Sequence, residues 1–248
     1  MPKDLFSQQA RDYSKYRPHY PQDLFDYILS FVKKHENAWD CATGNGQAAS
    51  ILADHFEKVY ASDISQRQLD NGIKKPNIWY IKSPAEGTPF EENFFDLITV
   101  AQAYHWLKWK AFREEAMRVG KEGCVISVWA YNHFQIDDAA LTTLYHDYNR
   151  NVLTPYWDPE RVYVDDNYKN VEFDYEELPT KTFESKMMWD RDDFIGYLST
   201  FSAVRRHIDA KGFSPVDLIA NEISSLWPNN EKREIRFPIT LRIGRIPK

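Results

Sequence analysis

Apolar residues along this chain follow two rhythms. Between Ala38 and Trp129, short unbroken apolar runs alternate with longer stretches in which apolar positions recur every third or fourth residue. Runs of the first kind read as strands covered on both faces, and stretches of the second kind as amphipathic helices. The predicted strands are Ala38 to Cys41, Val59 to Ser62 with Asp63 at its end, Ile78 to Ile81, Phe94 to Val100 and Cys124 to Trp129. Helices are predicted from the turn after Gly46 to about His55, from Ser65 as a capping residue to Ile73, and from Trp109 to Arg118. Ahead of them, Pro21 suits the first turn of a helix over 21–35, with Leu24, Phe25, Ile28, Leu29 and Val32 on one face.

Strands alternating with helices predict a parallel sheet wound by right-handed crossovers. After Tyr131 the rhythm fails. Residues 132–178 are aromatic and strongly acidic, and read as a helical cap inserted before the closing strands. Lys181 to Trp189 is a further strand, Asp192 to Phe201 and Pro215 to Trp227 are helices, and Phe237 to Ile243 closes the sheet. Pro238 places that strand at an edge, or itself at a strand start. The expected division is an N-terminal arm over 1–36, a core over 37–131, the cap over 132–180 and the rest of the sheet over 181–248, all in one domain.

Composition narrows the function classes. A net charge of −6 advertises no basic face for nucleic acid. Cys41 and Cys124 lie in apolar strand contexts, as in a reducing cytosol, and no apolar run approaches the length of a membrane span. The expected setting is cytoplasmic, with no membrane partner, as a monomer or homodimer. The histidines show no metal-ligand spacing.

The candidate chemistry gathers at Asp40-Cys41-Ala42-Thr43-Gly44-Asn45-Gly46-Gln47, a strand end, a tight turn and a helix start. Glycines there let a ligand approach the main chain, and the helix start favours negative groups. Gly44-x-Gly46-x-x-Ala49 with Asp63 allows a nicotinamide dinucleotide on spacing alone. Asp40 beside the turn, the Ala85-Glu86 pair after the third strand, and Gln102, Tyr104, His105 and Trp106 after the fourth favour a compact ligand with adenosine, an amino acid and a cationic sulfur instead.

On these residues the chain resembles the class I S-adenosylmethionine-dependent methyltransferases. Asp40-x-Ala42-x-Gly44-x-Gly46 is similar to the family's first motif, with Ala42 where glycine is usual. The resemblance implies a Rossmann-like, mostly parallel seven-stranded sheet with an antiparallel last strand. It makes Asp63 the acid that holds the ribose hydroxyls, Ile64 an adenine contact and Ala85-Glu86 the loop at the adenine edge. A narrower resemblance, to the trans-aconitate methyltransferase-like group, rests on Phe6-x-x-x-Ala10-x-x-Tyr13-x-x-Tyr16-Arg17-Pro18-x-Tyr20-Pro21, on Ala101-Gln102-Ala103-x-His105-Trp106 and on Tyr197 to Ser202.

The expected cofactor is S-adenosylmethionine, bound by Tyr13, Arg17, Asp40, Ala42, Gly44, Gly46, Gln47, Asp63, Ile64, Ala85, Glu86 and Gln102. Asp40 is either a direct contact or an anchor of the turn. Tyr13, Tyr16 and Arg17 read as a lid, or as aromatic docking beside a solvated arginine. His105 is a base or orienting group, or a locally satisfied histidine. Tyr16, Tyr104, His105 and Trp129 form the expected acceptor site, with core packing the other reading of Tyr104 and Trp129. The expected reaction is methyl transfer to a carboxylate or hydroxyl oxygen of a small organic molecule. The alternatives are carbon methylation of a quinone-like ring, a non-catalytic cofactor-binding protein, and an NAD-dependent enzyme.

Overall fold

The computed structural model describes residues 16–228 and 231–247. The chain enters through α1 (Gln22–Leu29) and then alternates β1 (Asn37–Cys41), α2 (Gln47–Leu52), β2 (Lys58–Asp63), α3 (Gln66–Asp70), β3 (Ile78–Lys82), β4 (Phe95–Ala101), α4 (Trp109–Val119) and β5 (Gly120–Tyr131). The segment that follows holds β6 (Gln135–Ile136), α5 (Ala139–Tyr148), α6 (Arg161–Asp165) and β7 (Glu176–Glu177). The chain ends its sheet with β8 (Phe183–Trp189), α7 (Arg191–Ser199), α8 (Ser202–Lys211), α9 (Ala220–Leu226) and β9 (Arg233–Arg245).

The strands form one nine-stranded sheet in which β3, β2, β1, β4 and β5 run parallel and β9 lies antiparallel beside β5. The register shows how nine strands fill seven positions. Ile239 of β9 pairs Tyr131 of β5 on one side and Phe183 of β8 on the other. Arg236 pairs Lys186 of β8 and Gln135 of β6, so β6 continues the line of β5. Arg245 pairs Val125 of β5 and Glu176 of β7, so β7 lies in line with β8. The mostly parallel sheet and the antiparallel closing strand follow the sequence reading.

Three expectations are corrected. Strand β9 is interior, not an edge. Pro238 is tolerated because its backbone turns toward the end of β5, where its carbonyl accepts from Asn132 N–H at 3.2 Å and no strand residue stands opposite its missing N–H. Helix α1 stops at Leu29, with Phe31 and Val32 closing tight turns onto Ile28 and Leu29. Helix α8 was not expected. It buries only Ala203, Val204 and His207, too thin a stripe to read, although Gly212 ends it in a left-handed conformation.

Both faces of the sheet are covered. Val125, Trp129 and Tyr131 of β5 and alternate β9 residues from Ile235 to Ile243 pack with α1, α2 and the C-terminal helices. Cys124, Ile126, Val128 and Ala130 face the other way, onto Phe112 and Ala116 of α4 and onto Tyr168, Phe173 and Tyr175. This alternation in β5 is the pleat of a strand buried on both sides.

One buried carboxylate sets the C-terminal edge of the sheet. Asp40, at the end of β1, is 1 % exposed. Its Oδ1 accepts from the Thr99 hydroxyl of β4 at 2.9 Å, and its Oδ2 accepts from Ala49 N–H in α2 at 3.1 Å and from the Thr43 hydroxyl in the turn. It thereby joins two strands, a turn and a helix. Burial pushes its pKa up to about 6, against the hydrogen bonds that favour the ion. The folded state therefore holds this proton more tightly than the unfolded chain, and the Asp40 contribution to stability falls as pH rises from 3.8 to about 6. Asp40→Ala strands all three donors and is expected to cost about 3 kcal/mol in urea unfolding. Asp40→Asn keeps an acceptor for Thr43 and Ala49, and is expected to fold with a flatter pH dependence of stability between 3.8 and about 6. Equal losses for the two variants would refute the anchoring role.

Candidate active site

The turn after β1 carries left-handed backbone at Ala42 (φ 54°), Gly44 (φ 58°) and Gly46 (φ 83°). Alanine at 42 keeps the turn at a cost of about 1–2 kcal/mol, since its Cβ crowds the following carbonyl. The two glycines do different work. A Cβ on Gly46 would lie 2.1 Å from the Tyr80 hydroxyl, so this position allows close packing on β3. A Cβ on Gly44 would meet nothing within 4 Å, so this residue opens onto free space. Asp63 closes the turn from β2: Gly44 N–H donates to its Oδ2 at 2.9 Å and Ser65 N–H to its Oδ1 at 2.8 Å. Ile64 and Gln47 are half-buried beside it, and Ser65 caps α3.

The loop after β3 is held from α4. Glu115 accepts from Thr88 N–H at 2.8 Å and from Arg118 at 2.6 Å. Burial works against the Glu115 charge, and bonds from Arg118 and Thr88 more than offset it, so its carboxyl titrates below the ordinary value. That clamp steadies buried Ala85 and half-buried Glu86, whose Oε1 accepts from Lys108 N–H at 3.1 Å. The Cys41 thiol is pushed well up by burial, then by Asp40, Asp63 and Glu86, which locates three carboxyl groups around the end of β1. Such a cluster favours a cationic ligand and repels a pyrophosphate.

A cavity of about 80 Å³ lies at the C-terminal ends of β4 and β5. Gln102 lines the cavity with a left-handed φ of 57°, and its buried amide Nε2 has no hydrogen-bond partner among the described residues. A strained backbone that aims an unsatisfied donor into a cavity marks a ligand position. Arg17 donates to the Tyr131 hydroxyl at 3.0 Å and to the Thr200 carbonyl at 3.1 Å. Arg161 lies over the Trp157 ring at 4.1 Å and gives its Nε to Asp165 at 3.2 Å. Arg206 of α8 pairs with buried Asp158. His105 sits in the short turn at Tyr104–Trp106, 3.0 Å through Nδ1 from the Tyr168 hydroxyl. Burial, then the charge of Arg161, lowers its basicity to about 3.

The structure divides the residues expected from the sequence. Ala42, Gly44, Gly46, Asp63, Glu86 and their neighbours meet at the turn; Arg17, Gln102 and His105 meet in the cavity. Asp40 is spent as an anchor. Three expectations of acceptor contact are corrected. Trp129 is fully buried, edge-on to Tyr20 at 5.5 Å and Phe25 at 5.8 Å, and is not among the residues that line the cavity. Tyr104 is 1 % exposed and gives its hydroxyl to the Glu172 carbonyl at 2.6 Å. Tyr16 packs its ring against Gly196 of α7 and does not line the cavity. Tyr13 lies outside the described residues. The far wall, with Tyr145, Trp157, Asp158 and Arg161, went unread. Its signal was the aromatic content of an otherwise irregular acidic segment.

Comparison with known proteins converges on this arrangement. The methyltransferase-domain family matches residues 39–140. A methyltransferase-named protein of Dictyostelium discoideum is 34 % identical over 210 residues, covering 84 % of this chain and 80 % of its own length. The solved structure of a type II methyltransferase-named protein from Anaeromyxobacter dehalogenans superposes with a TM-score of 0.85 at 32 % identity, over 94 % of this chain and 99 % of that one. A methyltransferase-named structure from Bacillus halodurans shares the fold, with a TM-score of 0.53 at 17 % identity over 92 % of this chain and all of its own. These relatives are similar over most of their length, and the protein belongs to the class I S-adenosylmethionine-dependent methyltransferases.

Proposed function

We propose that the protein moves a methyl group from S-adenosylmethionine to an oxygen of a small organic acceptor, a carboxylate or a hydroxyl, held in the cavity beside Gln102 and His105. The residues present fit the cofactor. Free space opens at Gly44, carboxyl groups gather around the end of β1, and the Gln102 amide lacks a partner. Asp63 would take the ribose hydroxyls, Ile64 and Ala85-Glu86 the adenine, and the Gly44–Gly46 turn with Gln47 the methionine portion. When bound, the cofactor supplies a methyl group on a cationic sulfur.

The observation that carries the acceptor reading is the charge of the cavity wall. Arg161 spends its Nε on Asp165 and has no further hydrogen-bond partner among the described residues at its terminal nitrogens. Arg17 lines the same cavity. Two guanidinium groups on one small cavity favour an acidic or oxygen-rich molecule. The acidic cap does not oppose this. Asp137 pairs with Arg236, Asp138 with Arg233, Asp158 with Arg206 and Glu177 with Arg242, so much of its charge is neutralised locally. The resemblance to the trans-aconitate methyltransferase-like group supports the same class of acceptor. The chain's own contribution is alignment and exclusion of water, which is worth about 7–11 kcal/mol when the reacting atoms are well placed.

Two measurements test the proposal. Calorimetry is expected to show binding of S-adenosylmethionine and none of NAD. Gly44→Val fills the open space at the turn and is expected to weaken that binding by about tenfold or more, a loss of about 1.4 kcal/mol, while the protein stays folded. Transfer of a labelled methyl group is then screened over carboxylic acids, phenols, alcohols and quinone-like compounds. An oxygen acceptor is expected, with Arg161→Ala raising its KM about ten- to hundredfold, the worth of a lost charge-assisted hydrogen bond, and leaving cofactor affinity unchanged. Carbon methylation, or Arg161→Ala without effect on the acceptor, would count against it.

A further inference from the structure

Tyr168 is fully buried, and it follows Asn167 in a pair of left-handed residues, with φ of 60° and 57°. A bulky side chain adopts that conformation only where its surroundings enforce it. Here they do. Tyr168 N–H donates to the Tyr163 carbonyl at 2.8 Å, the Tyr168 carbonyl accepts from Arg242 at 3.0 Å, and Asn167 Oδ1 accepts from the Thr240 hydroxyl at 3.1 Å. The result is a phenol held 3.0 Å from His105 Nδ1 at the back of the cavity.

The direction of that hydrogen bond follows from counting protons. A Tyr168 hydroxyl that accepted from an Nδ1–H would leave its own hydrogen to be donated elsewhere. Among the described residues, His105 Nδ1 is the one acceptor in hydrogen-bond contact with it. A buried hydroxyl that donates to nothing is disfavoured, so the hydrogen goes to Nδ1. An imidazole that accepts at Nδ1 and is neutral carries its proton on Nε2. Nε2 has no partner among the described residues, and His105 lines the cavity.

We propose that Tyr168 is a positioning residue that fixes His105 as the Nε2–H tautomer, so that His105 offers the methyl acceptor a hydrogen-bond donor and does not act as its base. The consequence for the acceptor rests on the oxygen-methylation reading above; the tautomer does not. With His105 barred from taking a proton, the acceptor it suits is an oxygen that arrives ionised. Its lone pair makes the new bond to the methyl carbon, the electron pair of the broken carbon–sulfur bond stays on sulfur, and no proton moves. A carboxylate meets this requirement at neutral pH and an alcohol does not. The Nε2–H and the terminal nitrogens of Arg161 are then complementary to its oxygens.

The tautomer is read directly from long-range proton–nitrogen correlation spectra of the whole protein labelled with ¹⁵N-histidine. The His105 signals are assigned by their loss in His105→Gln or, if that variant does not fold, by correlation to the backbone of residues 104–106 in uniformly labelled protein. Expected is a neutral ring protonated at Nε2 and unprotonated at Nδ1. In Tyr168→Phe, which keeps the ring and loses only the hydroxyl, the signals should shift to a mixture of the two tautomers. A ring protonated at Nδ1, an imidazolium at neutral pH, or an unchanged tautomer in Tyr168→Phe overturns the proposal. None of these outcomes bears on cofactor binding by calorimetry, so failure of this inference and failure of the methyl-transfer reading are separable.

Discussion

The carboxyl of Asp40 is the contact on which the working edge of the molecule depends. It has two oxygens and three donors, and each donor comes from a different element: the Thr99 hydroxyl from β4, the Ala49 amide from α2 and the Thr43 hydroxyl from the turn between β1 and α2. Without an acceptor at this point, the strained backbone from Ala42 to Gly46 would have nothing beneath it. Burying such a group is costly, and its raised pKa records that cost. The hydrogen bonds offset it and turn a flexible glycine-containing loop into a fixed surface. Asp63 does the same from β2 through Gly44 and Ser65, so two acids from adjacent strands hold the turn from below and from the side.

The electrostatics of the edge change over a short distance. Around the end of β1 the neighbours are carboxyl groups, Asp40, Asp63 and Glu86. Around the ends of β4 and β5 they are arginines, Arg17, Arg161 and Arg206, with Asp158 and Asp165 as partial partners. The first environment suits a cationic donor and the second an anionic or oxygen-rich acceptor. Gln102 lines the second of these, in a conformation that an L-residue adopts only under constraint.

The parallel half of the sheet was legible because its central strands, β1 and β4, are buried on both faces and so read as apolar runs. The glycine turn was legible because few residues tolerate its backbone angles. Other features depend on partners far away in the chain. Pro238 signals a missing N–H, but whether that matters depends on where β5 ends. Trp129 sits at the C-terminal end of β5, where ligands bind in such sheets, yet the pleat turns it into the helical layer. The acids of residues 132–178 looked like an unbalanced charge because their arginines lie elsewhere: Arg236 and Arg233 on β9, Arg206 on α8. The Tyr168–His105 contact joins residues 63 positions apart through two left-handed residues in a stretch without periodicity, and no local pattern announces it.

The interior place of β9 has a consequence for how the molecule is made. Strand β5 is complete at Tyr131, but its partner begins at Arg233, so the intervening segment must be synthesised while one side of β5 is unpaired. Over that interval an apolar strand offers an open row of backbone donors and acceptors, the kind of template that recruits other chains. The sheet becomes closed to such pairing only when β9 slides between β5 and β8 and satisfies both at once. Efficient production of this protein thus depends on how quickly a distant strand is delivered to its slot, and that favours slow synthesis at low temperature or a chaperone that shields β5 in the meantime.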